Sequence, residues 1–109
     1  MEEKTYLTVT ALNKYIERKF LLDPYLNEIY IKGEISNFKL HNNNNIYFSI
    51  KDENTRINAV WFGAKTKEFE DGDTVLIKSK INYYFPRGEH NLLVVDMKKD
   101  KIGELYKKF

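Results

Sequence analysis

Residues 28–40, EIYIKGEISNFKL, change the period of the chain and decide its fold. Ile29, Ile31, Gly33 and Ile35 alternate with Glu28, Tyr30, Lys32 and Glu34. A period of two sends the first set to one face of a strand and the second set to the other, so this is a long, half-buried strand. Gly33 lies inside it, and a glycine within a strand marks a place where the strand can bend.

On the N-terminal side the period is helical. TALNKYIERKFLLDP, residues 10–24, places Leu12, Tyr15, Ile16 and Phe20 on one stripe, with Thr10 as the expected N-cap and Asp23-Pro24 as the stop. On the C-terminal side, HNNNN (41–45) reads as a turn because asparagine tolerates left-handed backbone. IYFSIKD (46–52) and RINAVWF (56–62) read as a hairpin joined by Glu53, Asn54 and Thr55. GAKTKEFEDGD (63–73) leaves room for one helical turn over residues 64–69. TVLIKSKINYYF (74–85) and HNLLVVDM (90–97) form a last hairpin around Pro86-Arg87-Gly88.

Five strands at short intervals with no βαβ rhythm predict a mainly β protein. Closing the sheet removes the exposed edges that an open five-stranded sheet would carry. The expected architecture is a five-stranded OB-fold barrel with an N-terminal α-helix. A short C-terminal helical segment is expected from KIGELYKKF (101–109), which spaces Ile102, Leu105, Tyr106 and Phe109 as a helix does.

With 109 residues, 42% of them hydrophobic and 31% charged, the chain fits one folded domain. It has no cysteine, which excludes disulfides and thiolate chemistry and suits a reducing compartment. No apolar run reaches the roughly 18 residues of a membrane span, so no membrane partner is expected and a cytoplasmic location is. The net charge is +2, yet residues 98–109 carry five lysines against Asp100 and Glu104, so the remaining body is slightly acidic. Any polyanion must therefore be held by local placement of cations rather than by the field of the whole domain.

No catalytic constellation is legible. His41 and His90 fall in separate turns without an acidic partner at a metal-motif interval, so neither a metal nor any other cofactor is expected. Ser36, Ser49 and Ser79 sit in no nucleophile elbow. Asp52-Glu53 and Asp71/Asp73 have the positions of turn residues.

A sheet surface remains. If Ile46, Phe48 and Ile50 point inward, then Tyr47, Ser49 and Lys51 point outward. If Ile57, Ala59 and Trp61 point inward, then Arg56, Asn58, Val60 and Phe62 lie outside. AVWF is apolar on both parities, so Trp61 and Phe62 are interchangeable at this level, and Phe62 has a second reading as packing under the N-terminal helix. Rings on which bases stack, with lysine or arginine for the phosphates, make the surface that single-strand binders use. The same residue types also cover ordinary pleated sheets. In an OB barrel the connection between the last two strands borders the cleft, which adds Tyr84 and Arg87. The candidate nucleic-acid-binding residues are thus Tyr47, Lys51, Arg56, Phe62, Tyr84 and Arg87. The rival reading is a protein-protein interaction module.

YLTVTALNKYIERKF, IKGEISNFK, IYFSIKDE, INAVWF, DGDTVLIKSKINYYFPRGEHNLLV and IGELYKKF resemble, in order and spacing, the N-terminal domain of the exodeoxyribonuclease VII large subunit. GEISN, YFSIKD and PRGEHNLLV are the specific parts. HNNNN departs from that family, where a glycine-containing turn is usual. The resemblance implies residues 1–100 as a single-stranded-DNA-binding OB domain that positions substrate. Residues 101–109 then start a linker helix toward a catalytic domain absent from this chain. It further implies a cytoplasmic nuclease that degrades single-stranded DNA to oligonucleotides without a required divalent metal. The small subunit is engaged through the missing C-terminal region, and no activity is expected of this chain alone.

Overall fold

The computed structural model describes residues 3–64 and 68–101. Two helices, α1 (Val9–Leu22) and α2 (Pro24–Asn27), precede five strands: β1 (Ile29–His41), β2 (Asn45–Lys51), β3 (Arg56–Trp61), β4 (Thr74–Tyr84) and β5 (Glu89–Lys99). The strands close into a barrel in the order β1-β2-β3-β5-β4, with β4 returning to β1 and with β3 and β5 parallel. This is the five-stranded barrel with an N-terminal helix that the alternation predicts.

β1 serves two neighbours. Ile29 to Glu34 pair with β4, and Glu34 to His41 pair with β2, so Glu34 is the point of handover. Gly33 stands beside that point, where a Cβ would lie 2.7 Å from Ile50 Cγ1 and 2.9 Å from the Lys51 carbonyl oxygen. Only glycine lets β1 pass this close to β2. Further on, Asn37 takes a left-handed backbone (φ 53°), and the β1–β2 register shifts between Ser36 and Lys39. This is a bulge that turns the strand a second time.

The inward residues make one core. Ile35, Ile46, Ile77, Leu92 and Val75 are almost wholly buried, and Trp61 packs on Phe69 at one end of the barrel, ring centroids 6.2 Å apart. Each large aliphatic side chain buried in this way contributes about 1.5–3 kcal/mol. Trp61 is 4% exposed and Phe62 is 58% exposed, which resolves the two phases that AVWF allows. The register explains the choice, because Trp61 stands opposite Ile46, whose side chain is already committed to the core.

One expectation shifts. The N-cap of α1 is Thr8 rather than Thr10: the Thr8 hydroxyl oxygen accepts from the Ala11 amide at 3.0 Å. Both residues are threonines just ahead of the apolar stripe, and the helix starts at the earlier one. The helical turn expected over residues 64–69 crosses residues 65–67, and the C-terminal helical segment expected over 101–109 has only Lys101 among the described residues; 65–67 and 102–109 lie outside them. Asp23 does end α1 and caps α2, accepting from the Tyr25 amide at 2.9 Å.

The helix covers the inner face of the β4–β5 hairpin where that hairpin projects beyond the barrel. Phe20 meets Tyr83 edge to face at 5.2 Å and His90 at 6.4 Å. The Tyr83 hydroxyl donates to Asn13 Oδ1 at 3.2 Å. No α1 residue is fully buried. Val9, Leu12, Tyr15 and Leu22 all remain exposed.

Candidate nucleic-acid interface

The β2–β3 hairpin presents its outer face to solvent. Tyr47 on β2 is 39% exposed, and its ring meets Phe62, just beyond β3, edge to face at 6.3 Å. His41, the last residue of β1, packs on the other side of Tyr47 at 4.6 Å. Tyr47 and Phe62, expected outside, are outside, and they form the middle and one end of a three-ring cluster. Val60, opposite Tyr47 in register, is only 4% exposed yet lies outside the core cluster, so it is a covered floor residue of the outer face.

The cluster is fixed by the asparagine turn. Asn43 and Asn44 both adopt left-handed backbone, φ 67° and 61°. The Ala64 amide donates to the Asn44 carbonyl oxygen at 2.8 Å, and the Gly63 amide donates to Asn45 Oδ1 at 3.0 Å. These bonds tie the β1–β2 turn to the end of β3 and hold Phe62 next to Tyr47.

At the other end of the same face Lys51 and Arg56 stand opposite each other in register and are both exposed. Between the two ends lies a depression of about 400 Å³ whose walls include Asn37, Lys39, Tyr47, Arg56, Asn58 and Asn91. Lys39 pairs with Tyr47 across β1 and β2 and supplies a third cation. The described residues contain three ion pairs: Lys32–Asp100 at 3.1 Å, Lys78–Glu28 at 3.9 Å and Lys99–Asp73 at 3.7 Å. All three sit on the β1–β4–β5 side of the barrel. Lys39, Lys51 and Arg56 have no carboxylate partner among the described residues, so their charge is available to an external anion.

Tyr84 and Arg87 belong to the hairpin beyond the barrel. Strand alternation puts Tyr84, 51% exposed, on the same face as Asn82 and opposite to Tyr83, which is turned toward α1. Because β3 and β5 run parallel, the start of β3 at Arg56 and the start of β5 at Glu89 lie toward the same end of the barrel, and Tyr84 pairs with Glu89. Arg87 is exposed in the turn, where its amide donates to the Tyr84 carbonyl oxygen at 3.2 Å. No contact among the described residues links Tyr84 or Arg87 to Tyr47 or Phe62. The six candidates therefore form three groups: Tyr47 with Phe62, Lys51 with Arg56, and Tyr84 with Arg87.

His41, Lys39, Asn37 and Asn91 line this face as well, and the sequence did not single them out. Only the β1–β2 register across the bulge, and the parallel pairing of β3 with β5, bring them there. The carboxylates read as turn residues are turn residues. Asp52 Oδ1 accepts from the Asn54 and Thr55 amides at 2.8 and 3.0 Å, and these bonds hold its carboxyl below the usual range. Asp71 accepts from the Phe38 amide at 2.8 Å, and Asp73 accepts from the Glu70 amide at 2.9 Å. No group of His, Cys, Asp or Glu among the described residues is arranged to hold a metal ion, and no described helix is long and apolar enough to cross a membrane.

Comparison with known proteins agrees with the fold. The chain is 47% identical over 108 residues to the exodeoxyribonuclease 7 large subunit of Bacillus cytotoxicus, and 44% identical over 110 residues to that of Bacillus subtilis. These alignments cover 95% and 97% of this chain but only 24% and 25% of the relatives, so the chain spans about a quarter of their length. Among solved structures, a chain of a replication protein A heterotrimer bound to ssDNA superposes with a TM-score of 0.60 at 12% identity, over 76% of this chain and 66% of that one. An asparaginyl-tRNA synthetase from Pyrococcus horikoshii gives 0.56 at 14% identity, over 72% of this chain and 21% of that one. At such identities these two likenesses establish the fold. Residues 7–98 match the model of the OB-fold nucleic acid binding domain, and the chain belongs to that family.

Proposed function

We propose that this domain binds single-stranded DNA across the outer face of β2 and β3 and positions it as substrate for a nuclease of which it is one part. The observation that carries this reading is the pairing of exposed rings with unpartnered cations on one face. Tyr47 and Phe62 stand at one end, Lys39 beside them, and Lys51 with Arg56 at the other. Rings give every base a stacking partner, and free cations take the phosphates. Lys51 lies four residues from Tyr47 along β2, a run of about 13 Å, so the face is long enough for more than one nucleotide. Tyr84 and Arg87 extend it along the projecting hairpin.

The relatives, exodeoxyribonuclease 7 large subunits, support the wider setting of a nuclease; in our reading that nuclease acts on single-stranded DNA in the cytoplasm. In this reading residues 1–100 are the binding domain and 101–109 lead toward a catalytic region. The small subunit is engaged through that further region, and hydrolysis belongs there too. Competition between a labelled single strand and unlabelled duplex of matched length tests the proposal. The single strand should compete far better, because a duplex hides the base faces.

A second reading has its own observation. Val9, Leu12, Tyr15 and Leu22 leave α1 with an exposed apolar surface, which suits docking against protein. It lies on the helix rather than on the β2–β3 face, so the two roles are compatible.

A further inference from the structure

One row of side chains crosses the middle of the outer face, between its aromatic and cationic ends. Ser49 on β2 stands opposite Asn58 on β3. The pairing of Ala59 with Leu92 sets Asn58 beside Asn91, one residue earlier on each of the parallel strands. Asn91 in turn stands opposite Asn82 on β4. Four polar residues in register on four strands cost sheet propensity, since asparagine is depleted in strands. Nothing in the barrel's core requires them.

Their hydrogen bonds have a direction. The Ser49 hydroxyl donates to Asn58 Oδ1 at 3.0 Å, and Asn82 Nδ2 donates to Asn91 Oδ1 at 3.2 Å. Ser49 is 3% exposed, so its hydroxyl is a buried anchor. Both central amides therefore have their oxygen engaged by a neighbour. Their NH2 groups have no acceptor among the described residues, and both residues line the 400 Å³ depression. The floor of the groove thus offers two amide donors carried by adjacent strands, whose backbones run about 4.8 Å apart.

We infer that Asn58 and Asn91 read the base edge, and that the groove favours uracil or thymine over cytosine. Uracil and thymine present carbonyl oxygens at both O2 and O4, at a separation comparable with the strand spacing, and two donors match two acceptors. Cytosine keeps O2 but replaces O4 with an amino group, which sets donor against donor and leaves one of them unpaired. The inference rests on the β2–β3 face being the single-strand site. It adds a specificity that stacking alone does not give, because stacking accepts every base.

Oligo-dU and oligo-dC of one length test it, since the two bases differ only at the C4 substituent and the N3 proton, and neither polymer gains from a thymine methyl group. The wild-type domain should bind oligo-dU roughly tenfold more tightly, the lower part of the range for a two-bond contact. Asn58→Asp is isosteric, keeps an acceptor for Ser49 and turns the outward donor into an acceptor. Its absolute affinity should fall through the added negative charge, and its dU:dC ratio should drop below that of wild type and toward cytosine. Asn91→Ala should bring the ratio near one while both oligonucleotides still bind. Equal binding of both by wild type, with Asn58→Ala weakening both alike, overturns base reading and makes the row a backbone contact. Binding of neither overturns the single-strand reading itself and this inference with it.

Discussion

The rings of Tyr47 and Phe62 meet edge to face, 6.3 Å apart, although one sits in β2 and the other follows the end of β3. Neither is part of the core cluster, and Phe62 is more exposed than an aromatic placed for packing. Two rings held together at the surface form a platform whose removal should affect a ligand more than the fold.

Phe62→Ala and Tyr47→Ala should each weaken binding of oligo-dT by about 1–3 kcal/mol, the range found when a base loses its aromatic partner. The logarithmic dependence on salt should keep its slope, since a ring releases no counterions. Thermal melting of Phe62→Ala should stay within about 0.5 kcal/mol of wild type, as is usual for exposed positions. Fluorescence titration and melting curves on the same samples check both.

Arg56→Ala and Lys51→Ala should weaken binding and flatten the salt slope by about 0.7 each, the contribution of one phosphate contact on a single strand. Arg87→Ala should do the same if the hairpin follows the strand, with unchanged melting, because its side chain has no partner among the described residues. If the Arg87 variant keeps the full slope, the strand leaves the groove before the hairpin.

Much of the barrel was legible because its core strands alternate cleanly: Ile46, Phe48 and Ile50 against Tyr47, Ser49 and Lys51 leaves one assignment of faces. AVWF leaves two, and only the pairing of Trp61 with Ile46 selects between them. Thr8 and Thr10 are chemically the same cap, and the local pattern does not choose between them. Lys39 and His41 could not be placed, since a bulge at Asn37 changes which β1 residues face Tyr47. Asn91 joins the groove through the parallel β3–β5 pairing, which no local pattern encodes.

Two glycines should tolerate no side chain, for different reasons. Gly33→Ala forces a methyl group against Ile50 and the Lys51 carbonyl, an overpacking that should cost about 1–3 kcal/mol. Gly88→Ala meets a left-handed backbone, φ 63°, with Asn13 Nδ2 only 3.2 Å from the new carbon. It should cost about 1–2 kcal/mol and loosen the hairpin from α1. Denaturant midpoints measure both, and a neutral Gly33→Ala would contradict the close passage of β1 over β2.

Asp52 ties the β2–β3 turn through two backbone amides, and its carboxyl is held below the usual range in the folded state. A depressed folded value means that this contribution is present above the unfolded carboxylate pKa and is lost as pH falls through the folded one. Melting temperature should therefore fall in acid more steeply for wild type than for Asp52→Asn, which lacks the charge at every pH. Parallel curves would show that the turn does not depend on the ionised carboxylate.

The most direct test of single-strand binding by this face is a titration of fluorescent oligo-dT at two salt concentrations. Three phosphates neutralised by Lys39, Lys51 and Arg56 give a logarithmic slope near −2, so affinity should fall roughly fifteen- to twentyfold between about 50 and 200 mM salt. The triple variant Lys39→Ala, Lys51→Ala, Arg56→Ala should lose most of that slope while melting as wild type does. Binding that ignores salt, or a triple variant with the full wild-type slope, would contradict the assignment of this face to the DNA backbone.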